Sequence, residues 1–106
     1  MTAKEVQDRF DILEGVGICA ALEQLAEEAA ELTQSTLKIS RILREENPTP
    51  VTLTDALESL KEETNDVLLC LSVIEAAFGK LSDDGAVTKK LSRWKRRIKE
   101  SREAEK

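Results

Sequence analysis

Residues 22–43 read LEQLAEEAAELTQSTLKISRIL, and their apolar positions repeat with the spacing of an α-helix. A stripe that is apolar except at one threonine is formed by Leu22, Leu25, Ala29, Leu32, Thr36, Ile39 and Leu43. This period predicts an amphipathic helix, which extends from about Ile18 to Glu46. At 1.5 Å per residue the helix is roughly 40 Å long, which is more than most globular domains use. Its length favours a bundle arm or a surface for self-association.

Helix-breaking and helix-capping residues divide the rest of the chain into three further predicted helices. Gly15 and Gly17 stand close together, which is typical of a turn, and the segment Asn47–Pro50 cannot continue a helix. Thr52 or Thr54 is the expected N-cap of the helix that follows. The predicted bounds of the three helices are about Ala3–Leu13, Leu53–Phe78 and Asp84–Arg102.

The chain is short and poor in aromatic side chains. It has 106 residues, with two Phe, one Trp and no Tyr. A chain of this length forms one domain and buries only about two-thirds of its unfolded surface, so its own core is thin. Four helices with short connections predict an all-α, four-helix up-and-down bundle over residues 1–106, frayed at 103–106. The thin core predicts a homo-oligomer.

Charge is distributed unevenly along the chain. Residues 1–88 carry 7 basic and 18 acidic side chains, a net charge of −11, whereas residues 89–106 carry 9 basic and 3 acidic, a net charge of +6. An acidic body needs a cation to attract an anionic substrate, and a basic end can contact phosphate directly. The alternative for the basic end is an ordinary solvated helix face.

The two cysteines, Cys19 and Cys70, stand among apolar neighbours, and we expect both to be buried. With no histidine and no pair of closely spaced cysteines, a zinc site is not expected. The charged beginning of the sequence does not resemble a signal peptide, and no apolar run approaches the roughly 20 residues that span a membrane. We therefore expect a cytoplasmic protein that does not bind membranes.

Two pairs of carboxylates stand out in the long central helices. Glu28 and Glu31 are spaced i, i+3 in the second helix, and Glu63 and Asp66 have the same spacing in the third, so each pair lies on one side of its helix. A short proline-containing connection makes these helices antiparallel, and both pairs lie beside an apolar stripe. We expect the four carboxylates to meet in one groove.

Four converging carboxylates need a counter-charge, which can be protons, basic side chains or a divalent metal. An oxygen-only set without His or Cys suits Mg²⁺, with Mn²⁺ as a possible substitute. The alternative is a solvated acidic face, because glutamate is a good helix former and i, i+3 acidic pairs are common on helix surfaces.

The same residues resemble a known protein family. LAEEAAEL at residues 25–32 and EETNDVLL at residues 62–69 resemble the two halves of the MazG-like signature, ExxE followed after a spacer by ExxD. The resemblance extends over about residues 18–98. It implies an all-α nucleoside triphosphate pyrophosphohydrolase that releases a nucleoside monophosphate and pyrophosphate and that forms dimers or tetramers. It also implies that the catalytic Mg²⁺ ligands are Glu28, Glu31, Glu63 and Asp66.

Basic side chains are candidates for contacts with the phosphates of the substrate. Lys38 follows Glu31 by seven residues and lies on the same side of its helix. Similar family members carry basic residues on their last helix, where this chain has Lys90, Arg93 and Arg97. Each of these four can equally be an ordinary surface residue. Trp94, beside them, is expected in a core or an interface.

Two other functions remain as alternatives to an enzyme of the nucleotide pool. One is a non-catalytic binding or regulatory module with the same helical-bundle fold, which the presence of all four carboxylates disfavours. The other is nucleic-acid binding through the basic last helix, which the net charge of −11 over residues 1–88 disfavours. We therefore expect a nucleoside triphosphate substrate, a homo-oligomer and no nucleic-acid partner.

Overall fold

The computed structural model of the chain describes residues 1–45 and 50–105, and every regular element in these residues is an α-helix. The four helices are α1 (Ala3–Val16), α2 (Ile18–Arg44), α3 (Leu53–Phe78) and α4 (Asp84–Ala104). This confirms the predicted all-α class and the number of helices. Most of the predicted proline break lies outside the described residues, which resume at Pro50.

Side-chain caps mark where α3 and α4 begin. The Thr52 hydroxyl accepts a hydrogen bond from the Asp55 amide at 3.1 Å, which selects Thr52 rather than Thr54 as the N-cap of α3. Asp83 caps α4 in the same way, because its Oδ1 accepts from the Ala86 amide at 3.0 Å. Each cap pairs a backbone N–H that would otherwise have no partner in the first helical turn.

Three predicted helix ends are wrong by two or three residues. α1 continues past Leu13 to Val16, because Gly15 is tolerated inside the helix and the break comes only at Gly17, whose φ of 85° favours glycine. α2 ends at Arg44 and not at Glu46, because the following residue adopts a left-handed conformation. α4 reaches Ala104, two residues beyond the predicted end.

Helices α2 and α3 pack side by side and run antiparallel. Near the start of α2, Ala21 packs with Val73 and Ile74 from the end of α3, whereas Glu31 in the middle of α2 meets Glu63 in the middle of α3. The small core around Ala21 and Ile74 is completed by the partly buried Leu25. This register brings the middle of both helices together, where the carboxylates lie.

Helix α1 covers one end of the α2–α3 pair and contacts both helices. Leu13 packs against the buried core, and the Arg9 guanidinium donates a hydrogen bond to the Ser72 carbonyl oxygen at 3.1 Å. Because Ala21 faces this core, Cys19, two residues earlier in α2, points away from it. Cys19 is exposed, so its predicted burial is wrong, whereas Cys70 is half-buried.

Helix α4 extends away from the other three. Over the described residues it makes no contact with α1, α2 or α3, which together form a three-helix body. The predicted all-α class is thus confirmed. The predicted four-helix bundle is wrong for a single chain, because only three of its helices pack together. Trp94 is 67% exposed and therefore lies outside the core of its own chain. No helix in the described part of the chain is both long enough and apolar enough to cross a membrane.

Candidate metal centre

Three of the four predicted carboxylates converge where α2 and α3 pack together. One carboxylate oxygen from each of Glu28, Glu31 and Glu63 lies within 4.8 Å of the other two. We call this group the carboxylate cluster. Glu28 and Glu63 are half-buried and Glu31 is exposed, so the cluster opens to solvent on the side of Glu31. The antiparallel register of α2 and α3 produces this convergence, which includes three of the four carboxylates that the sequence predicted to meet.

Two oxygens of the cluster are buried without a hydrogen-bond partner. These are Oε2 of Glu28 and Oε2 of Glu63. The other oxygen of Glu28 accepts a hydrogen bond from the Gln24 side-chain amide at 2.8 Å. Buried polar atoms are nearly always paired in folded proteins, because leaving one unpaired costs free energy. The two Oε2 atoms are therefore suited to accept a proton or a cation.

The environment opposes ionisation of the two half-buried carboxyls. Burial raises the pKa of Glu63 above the ordinary glutamate value, and the neighbouring Glu31, Asp66 and Glu28 raise it further. Burial also raises the pKa of Glu28, although the hydrogen bond from Gln24 lowers it in part. Like charges close together and loss of water both favour the neutral form. A bound cation would offset both effects, because an opposite charge nearby favours the ionised carboxylate.

The fourth predicted ligand, Asp66, stands at the edge of the cluster. It is exposed on α3, one turn after Glu63, and lies outside the group that converges within 4.8 Å. Its charge contributes to the raised pKa of both Glu28 and Glu63. The structure therefore brings three of the four predicted ligands together, and Asp66 is not among them.

The donor set fits a hard divalent cation. All the donors are carboxylate oxygens, and two of them have no other partner. Oxygen-only sets of this kind suit Mg²⁺ or Mn²⁺, which bind carboxylates and keep positions open for substrate phosphates. Acidic groups also cluster on protein surfaces without a metal, so the carboxylates by themselves define a candidate site.

An apolar cavity of about 240 Å³ lies between the three helices of the body, beside the cluster. Gln24 and Cys70 line it, together with the apolar side chains of Ile12, Val16, Ala20, Ala21, Leu69 and Val73. Gln24 also donates to Glu28, and the charges of Glu28 and Asp66 add to burial in raising the pKa of the Cys70 thiol. The cavity and the cluster thus share a boundary formed by Gln24 and Cys70.

The four predicted basic residues lie on two helices that do not contact each other. Lys38 is half-buried on α2, two turns beyond Glu31. Lys90, Arg93 and Arg97 are exposed on α4, which does not contact the helices that carry the cluster. Lys38 thus lies on one of the two helices that carry the cluster. Within one chain, α4 does not bring its basic residues to the carboxylates.

Two residues of the site escaped the sequence analysis. Gln24 stands four residues before Glu28, and Cys70 stands four residues after Asp66 and seven after Glu63. These spacings place each of them on the face of its helix that carries the carboxylates, which was an available signal. The adjacent acids Glu27 and Glu62 are exposed and do not belong to the cluster.

No protein family, no curated protein and no solved structure matches this chain.

Proposed function

We propose that the chain is a Mg²⁺-dependent nucleoside triphosphate pyrophosphohydrolase, similar to the MazG-like enzymes, that releases a nucleoside monophosphate and pyrophosphate. One observation carries the proposal. Carboxylates from two antiparallel helices converge within 4.8 Å, and two of their buried oxygens have no partner. The three converging residues belong to the ExxE and ExxD pairs that resemble the MazG-like signature, and this agreement supports the proposal.

The residues of the site would divide the work of this reaction. Glu28, Glu31, Glu63 and Asp66 would hold the cation. Mg²⁺, when bound, would supply positive charge for the phosphate oxygens and a lower pKa for the attacking water. Gln24 holds the Glu28 carboxylate through one oxygen, which leaves the other free to bind. Lys38 supplies positive charge toward the leaving pyrophosphate.

The apolar cavity supports a substrate that has an organic part as well as a charged tail. Ligand pockets are mostly apolar, with a few polar groups that fix the orientation of the ligand. The cavity of about 240 Å³ has this character and meets the cluster at Gln24. We place the base of the nucleotide in the cavity and its phosphates at the carboxylates. Inorganic polyphosphate would use only the second of these two surfaces.

The site assignment is tested by measuring Mg²⁺ binding by calorimetry and pyrophosphate release by the same preparations. We expect Glu63→Gln and Asp66→Asn to lower turnover by at least about 100-fold, since changes even to residues that support metal ligands cost about 10–100-fold. Glu58→Gln is the matched control, because Glu58 is exposed on the same helix, pairs with Lys61 and does not belong to the carboxylate cluster.

Unchanged turnover in folded Glu63→Gln and Asp66→Asn protein would contradict the site assignment. Mg²⁺ binding at the carboxylates without hydrolysis of any nucleotide would instead support the non-catalytic module. These two outcomes are distinct, because the first concerns the residues and the second concerns the reaction.

A further inference from the structure

Arg9 is a half-buried cation that forms no ion pair with the described residues. Its Nη1 donates a hydrogen bond to the Ser72 carbonyl oxygen at 3.1 Å, and its Nε is buried without a partner. A guanidinium has five N–H donors, and buried polar atoms are nearly always paired in folded proteins. Arg9 therefore has donors to spare for the acceptors of a ligand.

The two carboxylates nearest to Arg9 along α1 are engaged elsewhere. Asp8 forms an ion pair of 2.7 Å with Lys4, and Glu5 accepts from the Thr2 amide in the capping box of α1. Arg9, Glu5 and Asp8 all line one groove between α1 and α3. One cation and two carboxylates give this groove no net positive charge, so it does not concentrate free anions. It suits a neutral ligand that offers hydrogen-bond acceptors.

The groove that contains Arg9 adjoins the apolar cavity. Ile12, Leu69 and Val73 line both of them, whereas the cavity meets the carboxylate cluster at Gln24. Leu69 is 58% exposed and offers an open apolar wall to a flat ring. A ligand that extends from the cluster through the cavity thus meets apolar side chains first and the groove of Arg9 beyond them.

The distance from the cluster to Arg9 is of the order of the length of a nucleotide. Arg9 is anchored at Ser72, which follows Glu63 by nine residues on α3. At 1.5 Å per residue these nine residues span about 13 Å. Phosphates held at the cluster would therefore leave the far edge of an extended base beside the guanidinium.

A guanidinium distinguishes bases by the pattern of acceptors on their edges. Its fork of N–H donors fits two acceptors that lie side by side. Guanine presents such a pair with O6 and N7, and cytosine presents one with O2 and N3. Adenine, uracil and thymine offer no such pair. A base that lacks the pair would leave donors of a half-buried cation unpaired, which costs affinity.

We propose that Arg9 selects the base of the substrate and favours guanine and cytosine nucleotides over those of adenine, uracil and thymine. The inference rests on the proposed function, because it takes the cavity as the site of the base. It concerns binding alone, since Arg9 lies on α1 and takes no part in the carboxylate cluster.

The test measures the binding of five nucleoside monophosphates by calorimetry in the presence of Mg²⁺. Monophosphates are products of the proposed reaction, so their binding is measured without any turnover. We expect GMP or CMP, or both, to bind at least about 10-fold more tightly than AMP, UMP and TMP. The tighter of GMP and CMP identifies the pair of acceptors that Arg9 contacts.

Two variants that make the same chemical change complete the test. Arg9→Lys keeps the positive charge and a donor for the Ser72 carbonyl oxygen but loses the fork, so the affinities should come within about 3-fold of one another. Arg96→Lys is the matched control, because Arg96 is exposed on α4, which does not contact the helices that form the cavity. It should keep the wild-type preference.

A wild-type protein that binds all five monophosphates equally, or that binds none of them, would overturn the inference. A preference that persists in Arg9→Lys protein, shown to be folded by circular dichroism, would also overturn it. The proposed reaction is tested separately by pyrophosphate release. A preference in binding that is lost in Arg9→Lys would support the role of Arg9 even if no triphosphate were hydrolysed, and that absence of hydrolysis would contradict the proposed function alone.

Discussion

Replacing Glu63 by glutamine should move the stability of the chain in opposite directions with and without Mg²⁺. Without metal, Glu63 is a half-buried carboxyl whose pKa is raised by burial and by its acidic neighbours, and its Oε2 has no partner. A neutral amide of the same shape removes the charge that this environment opposes. In EDTA at neutral pH, we therefore expect Glu63→Gln to melt at a higher temperature than the wild type.

With Mg²⁺ the order should reverse. A ligand at 100 times its dissociation constant stabilises the folded state by about 2.7 kcal/mol. For a chain of 106 residues this corresponds to an increase of about 10 °C in the melting temperature. We expect the wild type and the Glu58→Gln control to show this increase and Glu63→Gln to show little of it. The assay is thermal unfolding followed by circular dichroism.

A Glu63→Gln variant that is less stable than the wild type in EDTA would refute this expectation, because the carboxylate would then stabilise the fold by itself. An equal rise in the melting temperatures of Glu63→Gln and the wild type with Mg²⁺ would refute it as well. A general effect of salt is excluded by repeating the melts in NaCl of the same ionic strength, where no increase of this size is expected.

Three further predictions concern pH, the core and substrate binding. The pKa values of Glu28 and Glu63 are raised in the folded state, so the fold favours the neutral carboxyls. The contribution of these two carboxyls to stability is fully present below the pKa of an unfolded glutamate, about 4.3, and is lost as the pH rises through their pKa values in the folded chain. Melting in EDTA should therefore be less sensitive to pH for Glu63→Gln than for the wild type between pH 4 and about 7, and an identical pH dependence would contradict this. Ile74→Ala should lower the free energy of unfolding by about 2–5 kcal/mol in denaturant titrations, because Ile74 is 2% exposed at the centre of the core. Leu43→Ala, at an exposed position, should change it by less than about 0.5 kcal/mol. Lys38→Gln should raise KM for the nucleotide more than Lys61→Gln does. Equal KM values for the two variants would contradict a role of Lys38 at the site.

The helices and the meeting of the carboxylates were predictable from local rules. Apolar spacing and the capping residues Thr52 and Asp83 define where helices form, and neither depends on distant parts of the chain. The convergence of Glu31 with Glu63 followed from two helices of similar length joined by a short connection. The i, i+3 spacing then predicted that each pair of acids shares one side of its helix.

The position of α4 could not be predicted from local rules. A short connection after Gly79 is compatible with a helix that folds back and with one that leaves, and amphipathic spacing is the same in both cases. In the structure the amides of Gly79 and Leu81 both donate to Glu75, and contacts of this kind depend on a backbone geometry that helical spacing does not reveal. The exposure of Cys19 escaped prediction for a related reason, since apolar neighbours in sequence do not show which face of α2 is covered by α1.

The cavity beside the carboxylates could not be predicted from the sequence either. It forms where side chains of three helices leave a gap, so its size depends on how α1 sits against α2 and α3. Gln24 lies at helical spacing from Glu28, but that spacing alone does not separate a residue that lines a ligand cavity from an ordinary polar neighbour.

The most direct test of the central claim is pyrophosphate release from a panel of ribo- and deoxynucleoside triphosphates, with Mg²⁺ and with EDTA. We predict pyrophosphate and the matching monophosphate in equal amounts, only when Mg²⁺ is present, and the order of rates across the panel would identify the preferred base. Folded, helical protein that releases no pyrophosphate from any of these nucleotides, or that releases it equally well in EDTA, would contradict the account.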